Sequence, residues 1–272
     1  MCGIISFMYE EKEKKTGLTG NMLKIIALIS MAIDHVGATI LEPAYNIKFS
    51  NIIKHPFTSD LTAFLDLILR SIGRLSFPIF CFLLVEGYFH TKNLKVYLIR
   101  LTSFALISEI PFDMAFKCKV FDLKHQNVFF TLVLGLVAIA LWDFIVKRPY
   151  PDPLESFRTS SPKTKILSFG TVSLIALIAQ LAQTNYGAVG VFLIFSFYLF
   201  RADKGLKYII CVAILLCAST AEIMGIPALL LMDKYNGKRG RKIQYFFYAF
   251  YPLHLLVLVL IRIAVFNIGI KI

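Results

Sequence analysis

Charge is scarce in this chain. Asp, Glu, Lys and Arg make up 17% of its 272 residues, against 57% hydrophobic ones, where a soluble domain is roughly half apolar and a quarter charged. The shortfall excludes an ordinary soluble globule, because the excess apolar surface needs lipid. Cysteine is sparse as well. Cys2, Cys81, Cys118, Cys211 and Cys217 form no C-x-x-C pair and no Cys/His metal spacing, so neither a disulfide framework nor a metal site is expected. Three of them fall within apolar stretches, where Cys is mostly a small apolar filler. Phosphate-loop glycine patterns ahead of a helix are missing; "GAVGV" and "NGKRGR" do not supply one. No internal repeat is visible, which leaves an inverted-repeat transporter without support. The first 20 residues hold no long apolar run. They read as a hydrophilic cytoplasmic tail rather than a signal peptide, and the first span must then direct insertion itself.

What the chain has in abundance is continuous apolar sequence. A helix needs about 20 apolar residues to cross the hydrocarbon of a bilayer. Candidate passages fall at 21–41, 62–89, 95–116, 127–146, 164–183, 186–201, 205–218, 220–233 and 243–266. Membrane barrel strands alternate in polarity over about ten residues, and these stretches do not. The expected fold is all-α: a polytopic transmembrane bundle of about nine spans, forming one domain over 21–272. The net charge of +12 sits mainly between spans, as the positive-inside rule expects, so no nucleic-acid partner is inferred. Lys12, Lys14, Lys15, Lys92, Lys95, Lys147, Arg148, Arg158, Lys163, Lys165, Arg201, Lys204, Lys207, Lys234, Lys238, Arg239, Arg241 and Lys242 fall on one side, and Lys48, Lys54, Lys117, Lys119, Lys124 and Lys271 on the other. That asymmetry predicts a multi-pass cell-membrane protein with a cytoplasmic N-terminus. The Pro-, Ser- and Lys-rich stretch 147–165 reads as a flexible cytoplasmic loop.

Ionisable residues inside spans are costly, about 2.5–3.5 kcal/mol each at the centre on insertion scales, and they recur here. Asp34 and His35 lie in the first span; Arg70, Arg74, Glu86 and His90 in the second; Arg100, Glu109 and Asp113 in the third; Asn127 opens the fourth; Tyr251, His254 and Arg262 lie in the ninth. Arg70 and Arg74 share a helix face, as do Glu109 and Asp113 and also Glu86 and His90. The two arginines either pair with Glu109 and Asp113 between helices, giving a polar core with Glu86, or stay available to a substrate anion. His35 is either a helix–helix hydrogen-bonding residue or a proton-transfer centre. Position alone serves a proton-coupled transporter, with the buried charges as substrate pathway, as well as an enzyme.

The stretches "LKIIALISMAIDHVG", "LRSIGRLSFPIFCFLLVEGYFHTKNLKVYLIRLTSFALISEIPFD", "NVFFTLVLGL", "YGAVGVFLIFSFYLFR" and "NGKRG" followed by "FFYAFYPLHLLVL", in that order, resemble the TraX family over about Leu18 to Leu260. That family is named for a conjugation-plasmid protein that acetylates the N-terminus of pilin. It is similar to a wider class of integral membrane acyltransferases, including heparan-sulfate and O-antigen acetyltransferases. The resemblance implies transfer of an acetyl group from cytoplasmic acetyl-CoA, as co-substrate and without a metal, to a protein N-terminus, glycan or lipid acceptor such as pilin or an envelope glycan. It implies His35 as base or acyl carrier, with Asp34 either setting its environment or pairing with an arginine. Arg70, Arg74, Asn127, Tyr251 and His254 are the donors available to the reacting carbonyl. The phosphates of coenzyme A need cations. His90, Lys92, Lys95 and Arg100 supply one cluster, Lys238, Arg239 and Arg241 a second, and both equally satisfy the positive-inside rule.

Overall fold

A computed structural model describes residues 16–45, 59–240 and 244–266 of the chain. Cys2, Lys12, Lys14, Lys15, Lys48, Lys54, Arg241, Lys242 and Lys271 lie outside the described residues. Helices dominate, and no strands occur among the described residues. They are α1 (Gly20–Val36), continued by a wide turn over Gly37–Leu41 and a last turn Glu42–Tyr45; α2 (Ser59–Gly73); α3 (Ser76–His90); α4 (Leu94–Lys117); α5 (Val128–Val146); α6 (Pro153–Thr159); α7 (Pro162–Leu181); α8 (Gly187–Leu199); α9 (Lys204–Ala218); a 3₁₀ segment Thr220–Gly225; α10 (Pro227–Asp233); and α11 (Gln244–Phe266).

The helix starts follow capping chemistry. Thr19, Asn93, Asn127, Asp152, Ser161 and Asp203 each accept a backbone N–H of the first turn through the side chain, satisfying donors that have no partner within the helix. Proline opens α6, α7 and α10, where its missing N–H does no harm. Cys118 and Lys147 close α4 and α5 in the left-handed conformation, with φ of 54° and 49°.

Among the described residues, five passages are long and apolar enough to cross a membrane: Gly20–Leu41, Asp60–His90, Val128–Val146, Pro162–Leu181 and Phe246–Val265. The chain is a multi-pass membrane protein by this measure. The 24-residue α4 has the length but carries more charge. The expectation of about nine spans meets a different architecture between 205 and 233. Here α9 is answered by a 3₁₀ segment and the seven-residue α10, which return antiparallel to it. Lys204 Nζ at the start of α9 lies 2.9 Å from Asp233 Oδ1 at the end of α10. Both legs run about 22 Å, at about 1.5 Å per α-helical and 2.0 Å per 3₁₀ residue, short of the roughly 30 Å hydrocarbon.

The central element is α3. Ten of its fifteen residues, from Ser76 to Glu86, are buried; it is apolar on all sides, as a helix enclosed by others must be. On one flank α5, α7 and α8 pack together, and on the other α1, α2, α4 and α11. The stretch 147–165 is not the flexible loop its composition predicts. It folds into α6, whose Ser156 Oγ bonds to Asp152 and Tyr150 carbonyls and whose Phe157 ring lies 6.3 Å from Trp142.

Candidate functional site

Helix α1 carries Asp34 and His35 into the bundle just before its wide turn. Turns of that kind occur mostly as single-turn interruptions of α-helices, frequently at functional sites. Thr39 Oγ1 donates to the His35 carbonyl at 2.6 Å, holding the widened turn. The adjacent side chains of α1 serve two neighbouring constellations.

Asp34 faces α2. Arg70 Nη1 donates to Asp34 Oδ2 at 2.6 Å. Arg74 Nη1 donates to Glu222 Oε1 at 2.8 Å, on the 3₁₀ segment. The expected pairing of these arginines with Glu109 and Asp113 is therefore corrected. Both carboxylates are engaged elsewhere, Glu109 by the start of α5 and Asp113 by the loop between α4 and α5. Glu109 Oε2 accepts the backbone N–H of Asn127 at 3.2 Å and also its side-chain amide. Asp113 Oδ2 accepts the Asp122 N–H at 2.6 Å. Asp122, in the loop beyond α4, has its own carboxyl held below the usual range, first by the Lys124 N–H and then by the Lys119 ammonium. Two glycines permit the close approach around the arginines. A side chain at Gly73 would overlap Asp34, and a Cβ at Gly225 would stand 2.9 Å from the Arg74 carbonyl oxygen.

His35 faces α11, where Pro252 and His254 lie. His35 Nδ1 and His254 Nε2 are 2.7 Å apart, with the two rings within 7° of parallel. His254 Nδ1 lies 2.8 Å from the Phe250 carbonyl oxygen. A carbonyl only accepts, so in the neutral pair His254 carries its proton on Nδ1 and offers the Nε2 lone pair. His35 must then donate from Nδ1, and its own Nε2 is left as a lone pair. The aromatic rings of Phe116 and Tyr251 meet His35 edge-on at 5.1 and 6.1 Å, enclosing a site in which His35 is only 9% exposed.

Two cavities reach this region from opposite ends of the helices. The first, of about 680 Å³, lies at the C-terminal ends of α1 and α4 and the start of α8, and is lined by Asp34, His35, Arg70, Arg74, Tyr251 and Arg262 among others. The second, of about 600 Å³, lies at the starts of α1, α4 and α11, with Lys24, Glu86, His90, Arg100 and Arg239 in its wall. Met31, Phe80, Val128 and Tyr251 line both. One layer of side chains beside His35 thus separates them.

Of the residues expected at the cofactor, His90, Arg100 and Arg239 line the second cavity, whereas Lys92, Lys95 and Lys238 are exposed and stand outside its wall. Glu86 accepts from Arg201 Nε at 2.9 Å rather than meeting the His90 ring; His90 Nδ1 donates to the Glu86 carbonyl at 2.7 Å. Asn127 is fully buried and bonded to Glu109, the Ala105 carbonyl and the Phe129 N–H. It lines neither cavity and acts as a cap and tie between α4 and α5. Glu222 is the partner that sequence reasoning missed. Its signal was a carboxylate well inside the apolar stretch 220–233, whose other acid, Asp233, stands at the very end, expensive unless paired. Lys24 was missed because it sits one turn inside the first span.

No solved structure matches the chain. It is 28% identical over 259 residues to the probable fimbrial assembly protein FimC, serogroup H1, of Dichelobacter nodosus, an alignment that takes in 87% of this chain and 92% of that protein. The TraX protein family matches residues 19–262, which contain both cavities, the ion pairs and both histidines. By that match over nearly its whole length, the chain belongs to the TraX family.

Proposed function

We infer that this protein is an integral membrane acetyltransferase. It moves an acetyl group from cytoplasmic acetyl-CoA to an acceptor amine or hydroxyl: a protein N-terminus, such as that of a pilin subunit, or an envelope glycan or lipid. Family membership and the fimbrial name of the relative support a pilin-related membrane role. The observation that carries the chemistry is the coupled pair His35–His254 at the thin partition between two opposed cavities.

The second cavity suits coenzyme A. Arg100, Arg239, His90 and Lys24 suit its phosphates, and Leu83, Leu84, Tyr97 and Phe247 give the same cavity apolar wall. The basic residues Arg148, Arg201, Lys204, Lys234, Lys238 and Arg239 gather at this same end of the bundle. Four contacts support that grouping: Leu18, ahead of α1, pairs with Tyr235, Lys204 meets Asp233, Arg201 meets Glu86, and Arg148 lies over the Phe89 ring near the end of α3. The positive-inside rule makes that end cytoplasmic, with the N-terminus on the same side. The first cavity then receives the acceptor from the opposite face.

His35 Nε2 takes the proton of the acceptor nucleophile as that atom attacks the thioester carbonyl carbon. The new C–N or C–O bond forms, the C–S bond breaks, and His35 returns the proton to the departing sulfur. His254, through Nδ1 to the Phe250 carbonyl, keeps His35 in the productive tautomer. Arg70, Arg74 and the Tyr251 hydroxyl are the donors available to charge that develops on the carbonyl oxygen.

Equilibrium binding of acetyl-CoA to the purified protein in lipid nanodiscs tests this reading. Saturable binding, weakened about tenfold or more when charge-assisted contacts are lost in Arg100→Gln/Arg239→Gln, is the expected result. A transporter that uses the buried charges as its pathway has no need of coenzyme A, and absence of binding would reject the transferase.

A further inference from the structure

The first cavity contains a cation that the transfer chemistry does not use. Arg262 on α11 is 2% exposed, yet it makes no ion pair among the described residues. Its Nη1 and Nη2 donate to the backbone carbonyls of Ala115 and Met114, near the end of α4. Its Nε is buried without any partner. The other arginines of the cavity, both only partly buried, differ. Arg70 is held by Asp34 and Arg74 by Glu222.

Lys117, half-buried in the same wall, also makes no ion pair among the described residues. Asp113, one turn earlier, lies outside the cavity wall and receives the Asp122 N–H. The wall therefore offers Arg70, Arg74, Lys117 and Arg262 against Asp34 and Glu42. The carbonyl end of α4 supplies about half a negative charge to Arg262. That is less than a guanidinium needs in a medium where unpaired charges are strongly disfavoured.

The geometry points to an anion subsite formed by Arg262 and Lys117, which takes a carboxylate or phosphate borne by the acceptor; this rests on the reading of the first cavity as the acceptor's. Bidentate-capable guanidinium beside a point-charge ammonium is the donor set such oxyanions favour. The acceptor is then anchored by its anion at one end of the cavity, with its nucleophile presented to His35 farther in.

Cys118 provides a reporter that does not depend on turnover. It lines the cavity next to Lys117 and carries a free thiol. In a Cys2→Ser/Cys217→Ser background, the remaining Cys81 and Cys211 are buried. Labelling of Cys118 by an anionic methanethiosulfonate is compared with that by a cationic one, each normalised to its rate with a small free thiol. The anionic reagent is expected to react about tenfold faster, as a charged cleft concentrates ions of opposite sign. Arg262→Gln is expected to reduce the preference at least threefold, by removing one of the two charges.

Because Arg262 also caps α4, a second measurement covers a variant that fails to fold. Inorganic phosphate and acetate are titrated against the anionic reagent, in the wild type and in Lys117→Gln. Slower labelling with stronger effect from phosphate assigns a phosphate-bearing acceptor, and stronger effect from acetate a carboxylate. Protection is expected to weaken at least threefold in Lys117→Gln. Equal rates for the two reagents, or no protection by either anion, overturn the subsite. Since no acetyl-CoA enters the experiment, its failure is distinct from failure of the transferase reading.

Discussion

At the scale of single residues, the proposed reaction divides one task unequally between the two histidines. His35 offers a free Nε2 to the first cavity, while His254 acts through it. His35→Ala is expected to remove acetyl transfer by about 10²–10⁴-fold, the usual worth of a positioned base. Insertion and monodispersity should survive, because the helix loses a polar group that lipid disfavours. His254→Ala leaves the His35 Nδ1 proton without its acceptor, so kcat should fall while KM holds. His254→Gln, whose amide oxygen can accept that proton, should recover part of kcat; an unchanged turnover in His254→Ala would show that the 2.7 Å contact is only packing. Asp34→Asn strands Arg70. Breaking a buried pair costs about 3–5 kcal/mol, but Arg70 is 28% and Asp34 16% exposed, so a loss of about 1–3 kcal/mol is expected after solvent screening. A lowered unfolding temperature in detergent reads it.

Among elements, the break between α2 and α3 places Arg70 and Arg74 on their acidic partners. Its cause is local. Pro78 has no N–H to offer the Arg74 carbonyl, and Gly73 lets α1 approach. Gly73→Ala should therefore push Asp34 off its seat and cost about 1–3 kcal/mol, the usual penalty of overpacking. Gly170→Ala in α7 is the matched control, since a Cβ there meets nothing within 4 Å. It should stabilise by about 0.5–1 kcal/mol from helix propensity alone. Equal unfolding temperatures for the two variants would show that the Gly73 contact carries no strain. The long apolar passages and the in-span polar residues were legible in the sequence, because lipid makes both conspicuous. The pairing was not. An i,i+4 spacing puts Arg70 and Arg74 on one face but carries no record of which helix that face meets. The opposite charge on Glu109 and Asp113 pointed to α4, when Asp34 and Glu222 were the neighbours. Likewise, 220–233 has the composition of a span, but Gly225 and Pro227 divide it into a 3₁₀ segment and a short helix.

For the whole molecule, the direction of transfer rests on which end of the bundle faces the cytoplasm. Helix α5 separates two loops at which labelling can test it. The segment before it carries Lys124 and borders the first cavity; the segment after it contains α6 and belongs with the basic end, where Tyr88 donates to Asp143 Oδ2 near the close of α5. Replacing Cys2, Cys118 and Cys217 by Ser removes the endogenous thiols that are not buried within the described structure, together with that of the N-terminal stretch. A cysteine introduced at Lys124 should then be modified by a membrane-impermeant maleimide in intact cells, and one at Ser160 only after the membrane is opened. The reciprocal pattern would turn the second cavity outward. Its cations would then meet no cytoplasmic coenzyme A, and the two-sided mechanism would fail even if both histidines proved essential. Agreement of the labelling with acetyl-CoA binding through Arg100 and Arg239 would instead place donor and acceptor on opposite faces, with the Met31, Phe80, Val128 and Tyr251 layer as the partition across which the acetyl group passes.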